Sequence, residues 1–205
     1  MRIALAQINS TVGDFKGNAA LILKHLSETS AQGVELIVFP ELCLCGYPPM
    51  DLLDQSSFVE GTLAALRHIQ SAMPPNIAAL IGHVDLNQIR SGKRLINAAT
   101  LLYNGHRLLT QAKTLLPSYD VFDESRYFEP AGSRETVLFK GERIGITICE
   151  DIWWETEFNP YTRYAVDPVK DLIKAGATLL LAPSASPYHR GKPKIRRELL
   201  KQIGG

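Results

Sequence analysis

The chain predicts an α/β fold in which helices pack on mixed β-sheets, and three observations carry that reading. Short apolar runs rich in β-branched residues alternate along the 205 residues with segments whose apolar positions recur at helical spacing. Turns, glycines or prolines end these runs, and no internal repeat or low-complexity linker breaks the order. Three of the predicted strands lead directly into chemically reactive residues, as in open α/β sheets, whose ligands sit at the carboxyl ends of strands.

Taken in order, Met1-Arg2-Ile3-Ala4-Leu5-Ala6 reads as a short first strand. Ala19, Ile22, Leu23 and Leu26 then lie at helical spacing, with Asn18 as the expected N-cap and Gly33 closing the segment. Residues 34–39 form the next strand. Val59, Leu63, Leu66 and Met73 mark a second helix, which Pro74-Pro75 stops, since proline cannot donate to the helix ladder. Residues 77–82, 95–103 and 107–112 read as strands, and Asn104-Gly105 is a strong hairpin signal between the last two. Residues 143–149 follow as a strand. Val169, Leu172 and Ile173 mark a shorter helix closed near Gly176, and residues 178–182 a last strand. The basic stretch 189–201 is a helical face interleaved with Ile195, Leu199 and Leu200.

Composition narrows the function. A chain of 205 residues can bury one substantial core, so a single domain over 1–205 is expected. A formal net charge of +1 with 21% charged residues leaves no bulk electrostatic footprint for nucleic acid or a membrane surface, and neither partner is expected. Three cysteines cannot build a disulfide framework, and Cys43-x-Cys45 lacks the spacing of a redox or zinc pair. The five histidines are scattered, so no metal site is expected. The first residues carry neither a charged leader nor a long apolar stretch, so no signal peptide or membrane span is expected and a cytoplasmic location is.

The reactive residues complement one another. Glu41 follows the strand 34–39, Lys113 follows 107–112, and Cys149-Glu150-Asp151 follows the run that starts at 143. A thiol becomes a nucleophile when a base takes its proton or a cation lowers its pKa. Glu41 can be that base. Lys113 can supply positive charge to the thiol or to an oxyanion on an attacked carbonyl. Taken singly, each residue is more often structural, a small buried thiol or a solvated charge. Together they point to acyl transfer through a thioester, on a carboxamide or a nitrile.

Phe39-Pro40-Glu41-Leu42, Lys113-x-x-Leu116-Pro117 and Cys149-Glu150-Asp151 resemble the three signature segments of the nitrilase superfamily, whose catalytic set is Glu, Lys and Cys. Longer strings narrow the resemblance to the amino-terminal domain of the glutamine-dependent NAD synthetases. They are Ala6-Gln7-Ile8-Asn9, Leu44-Cys45-Gly46-Tyr47-Pro48-Pro49, Tyr119-Asp120-Val121-Phe122-Asp123-Glu124 and Ala185-Ser186-Pro187-Tyr188 with Gly191-Lys192. The similarity runs from about residue 2 to 198.

The resemblance sharpens the fold to an α-β-β-α sandwich, incomplete at its carboxyl end. It implies that Glu41 is the general base, Lys113 the oxyanion stabiliser and Cys149 the nucleophile of a glutaminase. Tyr119, Ser186 and Lys192 match positions that contact glutamine, with Lys192 suited to the α-carboxylate and Glu150 or Ser186 to the α-amino group. The ammonia would feed a synthetase domain, in the same parent chain or a partner, that uses ATP and Mg to make NAD from nicotinic acid adenine dinucleotide. No Ser-Gly-Gly-type phosphate loop for that step occurs in these residues, so no cofactor is expected in this chain. Strand edges and apolar faces left open by a shortened sandwich invite assembly as a homo-oligomer. Two rivals share the sequence signals: an amidase acting on another carboxamide, and a non-catalytic assembly fragment.

Overall fold

The computed structural model describes residues 1–89, 91–154 and 164–204. Strands β1 (Ile3–Leu5), β2 (Leu36–Val38), β3 (Ala78–Leu86), β4 (Leu95–Tyr103) and β5 (His106–Ala112) form a 5-stranded sheet in that order. The first two pairings are parallel and the next two antiparallel. A 3-stranded sheet holds β6 (Thr136–Phe139), β7 (Glu142–Ile146) and β8 (Leu179–Leu181), with β6–β7 antiparallel and β7–β8 parallel. The helices are α1 (Phe15–Ala31), α2 (Ser56–Ala72), α3 (Glu124–Tyr127), α4 (Pro168–Lys174) and α5 (Lys192–Gly204).

Side-chain alternation along the strands sorts the core into layers. Ile37, Ala79 and Ile81 face Ile22 and Leu26 of α1 and Leu66 and Ile69 of α2. Their neighbours Leu36, Val38, Ala78 and Leu80 face the other way, onto Phe139, Ile144, Ile146 and Leu181 of the second sheet. On the far side of that sheet, Leu180 packs with Val169 of α4 and Leu199 of α5. The order helix, sheet, sheet, helix is the sandwich that the motifs imply.

Several local expectations shift. Asp14, not Asn18, caps α1: its side chain accepts from the Gly17 N–H. Asn18 instead lies one turn inside the helix and is buried. Its Oδ1 takes the Thr11 N–H at 2.9 Å, and its Nδ2 donates to the carbonyls of Thr11 and Leu44. It ties the loop before α1 to the segment after Glu41. The run 143–149 also divides. Strand β7 ends at Ile146, and Cys149 opens a 3-10 turn, Cys149–Ile152. Strand β6 and helix α3 lie outside the expected elements. Both Asn104 and Gly105 have positive φ, as the predicted hairpin requires.

Candidate active site

The loop after β2 carries Glu41 inward. Gly82 of β3 makes this approach possible, because a Cβ there would lie 2.4 Å from the Pro40 carbonyl oxygen and 2.8 Å from the Glu41 Cα. Glu41 is 1% exposed, and both its oxygens are held. Oε1 accepts from Asn97 Nδ2 and from Lys113 Nζ, each at 2.8 Å, and Oε2 accepts from the Ala185 N–H at 3.0 Å. Three separate segments thus converge on one carboxylate.

Lys113 is the first residue after β5, and its backbone N–H extends the ladder to the Asn97 carbonyl at 2.8 Å. Its ammonium donates to Glu41 and to both oxygens of Glu124, at 2.8 Å each. Glu124, the first residue of α3, also receives the Tyr47 hydroxyl at 3.1 Å. Burial pushes the Lys113 pKa down, but the facing carboxylates outweigh it and hold the value well above that of an ordinary lysine. Burial raises the Glu124 pKa, and Lys113 pulls it back.

Cys149 is brought to this cluster by parallel pairing continued past the ends of β7 and β8. The Thr147 N–H donates to the Leu181 carbonyl at 3.0 Å, and the Cys149 N–H to the Pro183 carbonyl at 2.9 Å. Cys149 then turns sharply, with φ +46. A non-glycine residue held there stores backbone strain, of the kind that presents a nucleophile at a strand-to-helix turn. Its thiol lies within the electrostatic reach of Glu41, Lys113 and Glu124. Burial and the charges of Glu41 and Glu124 raise its pKa, against the pull of Lys113. At rest the group is a neutral thiol beside a base.

Lys113 and Cys149 open into a cavity of about 520 Å³ whose walls include Tyr119, Glu150, Trp153, Ser186 and Lys192. The expected residues therefore gather at one place, with Glu41 lying outside the lining, hydrogen-bonded to Lys113. Glu150 accepts from the hydroxyls of Tyr119 and Tyr164 at 2.8 and 2.9 Å. Lys192 donates to the Pro187 carbonyl at 3.0 Å and sits 6.0 Å from the Trp153 ring centre. Partial burial lowers its pKa. The lining thus carries both a carboxylate and an ammonium.

Glu124, Asn97 and Tyr47 belong to the cluster although residue-by-residue reading did not single them out. Glu124 stands in the Tyr119–Glu124 string that carries the resemblance, which was the available signal. Asn97 is a fully buried polar residue within a largely apolar strand, and such a residue must find a partner. Tyr164 likewise reaches Glu150 from outside every quoted motif. Among the described residues, no group of three or more His, Cys, Asp or Glu is placed to hold a metal ion.

The carbon-nitrogen hydrolase family model matches residues 2–165. A glutamine-dependent NAD(+) synthetase from Synechocystis is 43% identical over 201 residues, covering 97% of this chain and 36% of that protein. The solved glutamine-dependent NAD+ synthetase from Acinetobacter baumannii, in complex with ADP, superposes with a TM-score of 0.85 at 31% identity, over 98% of this chain and 36% of its own. A nitrilase-superfamily amidase from Nesterenkonia shares the fold, with a TM-score of 0.78 at 24% identity over 99% of this chain and 71% of its own. The chain spans about a third of the length of the synthetases it matches.

Proposed function

The chain belongs to the carbon-nitrogen hydrolase family, and on that premise we propose that it hydrolyses the side-chain amide of glutamine through a thioester on Cys149. The observation that carries this reading is the buried Glu41–Lys113–Glu124 cluster beside the thiol, with Lys113 and Cys149 opening into a cavity whose lining bears Glu150 and Lys192. A carboxylate and an ammonium in one cavity lining match the two charges of a free α-amino acid. Lys192 takes the α-carboxylate. Glu150 takes the α-ammonium, oriented by Tyr119 and assisted by Ser186.

In the first half-reaction Glu41 accepts the Sγ proton as the sulfur attacks the amide carbon. The C–S bond forms, and the carbonyl electrons move onto oxygen, where the Lys113 ammonium stabilises them. Collapse expels ammonia, with the proton returned by Glu41, and leaves the thioester. In the second half Glu41 takes a proton from water, whose oxygen attacks the thioester carbon. The C–S bond breaks, glutamate leaves, and the thiol is restored. Glu124 remains paired with Lys113 throughout, so the ammonium stays charged.

The names of the relatives support a destination for the ammonia: an ATP- and Mg-dependent synthetase domain that amidates nicotinic acid adenine dinucleotide to NAD. This chain then needs no cofactor of its own. The proposal includes a cytoplasmic location, with which three unpaired cysteines accord. It also includes a homo-oligomeric assembly, to which the exposed Leu5 of edge strand β1 and Leu138 of edge strand β6 would contribute.

The test is ammonia release from a panel of free carboxamides that includes glutamine, with labelling by diazo-oxo-norleucine. Glutamine should be preferred, and label should appear on Cys149 and on neither Cys43 nor Cys45. Preference for another amide would transfer the mechanism to a different amidase. Absence of site-selective labelling would leave an assembly module.

A further inference from the structure

Asp151 is 1% exposed and lies outside the cavity lining, yet it touches both reactive loops. Its Oδ1 accepts the backbone N–H groups of Thr114 at 2.9 Å and Leu115 at 2.7 Å. Its Oδ2 accepts the Ile148 N–H at 2.8 Å. Thr114 and Leu115 directly follow Lys113, and Ile148 directly precedes Cys149. These donors are the ones that strand pairing leaves over. Thr147 and Cys149 spend their N–H groups on the β8 segment and Lys113 spends its own on Asn97, so the intervening amides point elsewhere. A buried amide without a partner is costly. One carboxylate satisfies three at once, from two loops that come from different sheets.

We propose that Asp151 is a positioning residue that ties the Lys113 loop to the Cys149 loop and so sets the placement of the ammonium relative to the thiol. Backbone N–H donors on a carboxylate are charge-assisted and short, which makes this tie stiffer than a neutral contact. Burial pushes the Asp151 carboxyl up to about 7, against the pull of the N–H groups of Ile148 and Leu115, of the Lys113 charge and of the Thr114 N–H. Those donors thus favour the charged form of the carboxyl against the cost of its burial. The inference rests on the thioester mechanism proposed above for its effect on rate, but the tie itself does not.

Asp151→Asn tests it. The amide oxygen can still accept from Thr114 and Leu115, while the new NH2 faces the Ile148 N–H and breaks the tie on the cysteine side. Expected is a fall in kcat for glutamine of about 10²-fold, the cost of a misplacement near 1 Å. KM should stay within a factor of about three, since no cavity wall changes. A purely structural residue would lower the melting temperature and leave kcat per folded molecule at the parent value, which would overturn the proposal. Amide hydrogen exchange on the parent chain supplies a readout that needs neither activity nor a folded variant. Thr114, Leu115 and Ile148 should exchange with one common protection factor. Ile148 exchanging independently of the other two would also overturn it. If the parent releases no ammonia from glutamine, the glutaminase reading fails, and the exchange data still judge the tie.

Discussion

The Lys113 ammonium lies 2.8 Å from the Glu41 carboxylate with the two side chains 1% and 0% exposed. Glu124 faces the same ammonium at 2.8 Å from a side chain only 7% exposed. Two carboxylates share one cation away from water, so the cluster is tolerable only while Lys113 is present and charged. Lys113→Met should therefore destabilise the chain by roughly 3–5 kcal/mol at neutral pH, the usual cost of breaking a buried ion pair. Adding Glu124→Gln should recover part of that loss, because it removes one of the stranded charges. Urea midpoints of the single and double variants check both statements, and a Lys113→Met chain unfolding with the parent would contradict them.

Cys149 carries a definite pH expectation. Burial, with the charges of Glu41 and Glu124, raises its pKa above that of an ordinary thiol, so the resting group is protonated at neutral pH. The reactive form is the thiolate. Alkylation of Cys149 by iodoacetamide should thus keep rising with pH beyond about 8.5, where an ordinary thiol reaches its midpoint. A plateau below that pH would mean a preformed thiolate–lysinium pair. Cys149→Ala should abolish ammonia release, whereas Cys43→Ala and Cys45→Ala should retain it at least in part. Burial has pushed the Cys43 thiol up to about 12, and it hydrogen-bonds the Gly82 carbonyl.

Gly82 should act on the chemistry from a distance. A Cβ at that position would meet the Pro40 carbonyl oxygen at 2.4 Å, the Leu42 nitrogen at 2.5 Å and the Glu41 Cα at 2.8 Å. All three are backbone atoms, so the Glu41 loop itself must move. Gly82→Ala should lower kcat by about 10²-fold with a smaller effect on KM, because the cavity walls that hold substrate are elsewhere. A variant that folds with the parent melting temperature and turns over at the parent rate would contradict this placement of Glu41.

The division between what sequence could and could not show follows from where each residue sits. Glu41, Lys113 and Cys149 each stand just after an apolar β-rich run, so strand periodicity alone placed them at strand ends. Glu124 follows an irregular stretch and opens a four-residue helix, too short to leave a helical pattern. Its partnership with Lys113 depends on tertiary approach. Asparagine favours the N-cap position, which is why the sequence points to Asn18 there. The backbone instead turns at Gly13, with φ +80, and Asp14 caps, leaving Asn18 free to hold Thr11 and Leu44. Strand β6 spans only Thr136–Phe139 and is fixed by its hairpin to β7, where Lys140 and Gly141 both take positive φ. Local sequence shows reactive groups where secondary structure places them, and misses those that only packing brings in.

The boundary of this chain's own chemistry gives the last prediction. Making the terminal amide of NAD requires a carboxylate to be activated by ATP, which needs backbone amides to cradle phosphates and carboxylates to hold magnesium. The glycines nearest to such a loop are Gly141 and Gly145. Gly141 belongs to the β6–β7 turn, with φ +89, and Gly145 lies inside β7, where a Cβ would meet Leu180 at 2.9 Å. Neither faces a helix N-terminus in the spacing that binds phosphate. The 205-residue chain supplied with ATP, magnesium, nicotinic acid adenine dinucleotide and either glutamine or free ammonia should therefore form no NAD. Adding a separate synthetase domain should restore product from free ammonia, which controls for the assay. Glutamine should then serve as nitrogen source only while Cys149 is intact, which ties the ammonia to this site and not to contaminating hydrolysis. NAD formed by the chain alone would place a nucleotide site within these residues and overturn the division of labour proposed for them.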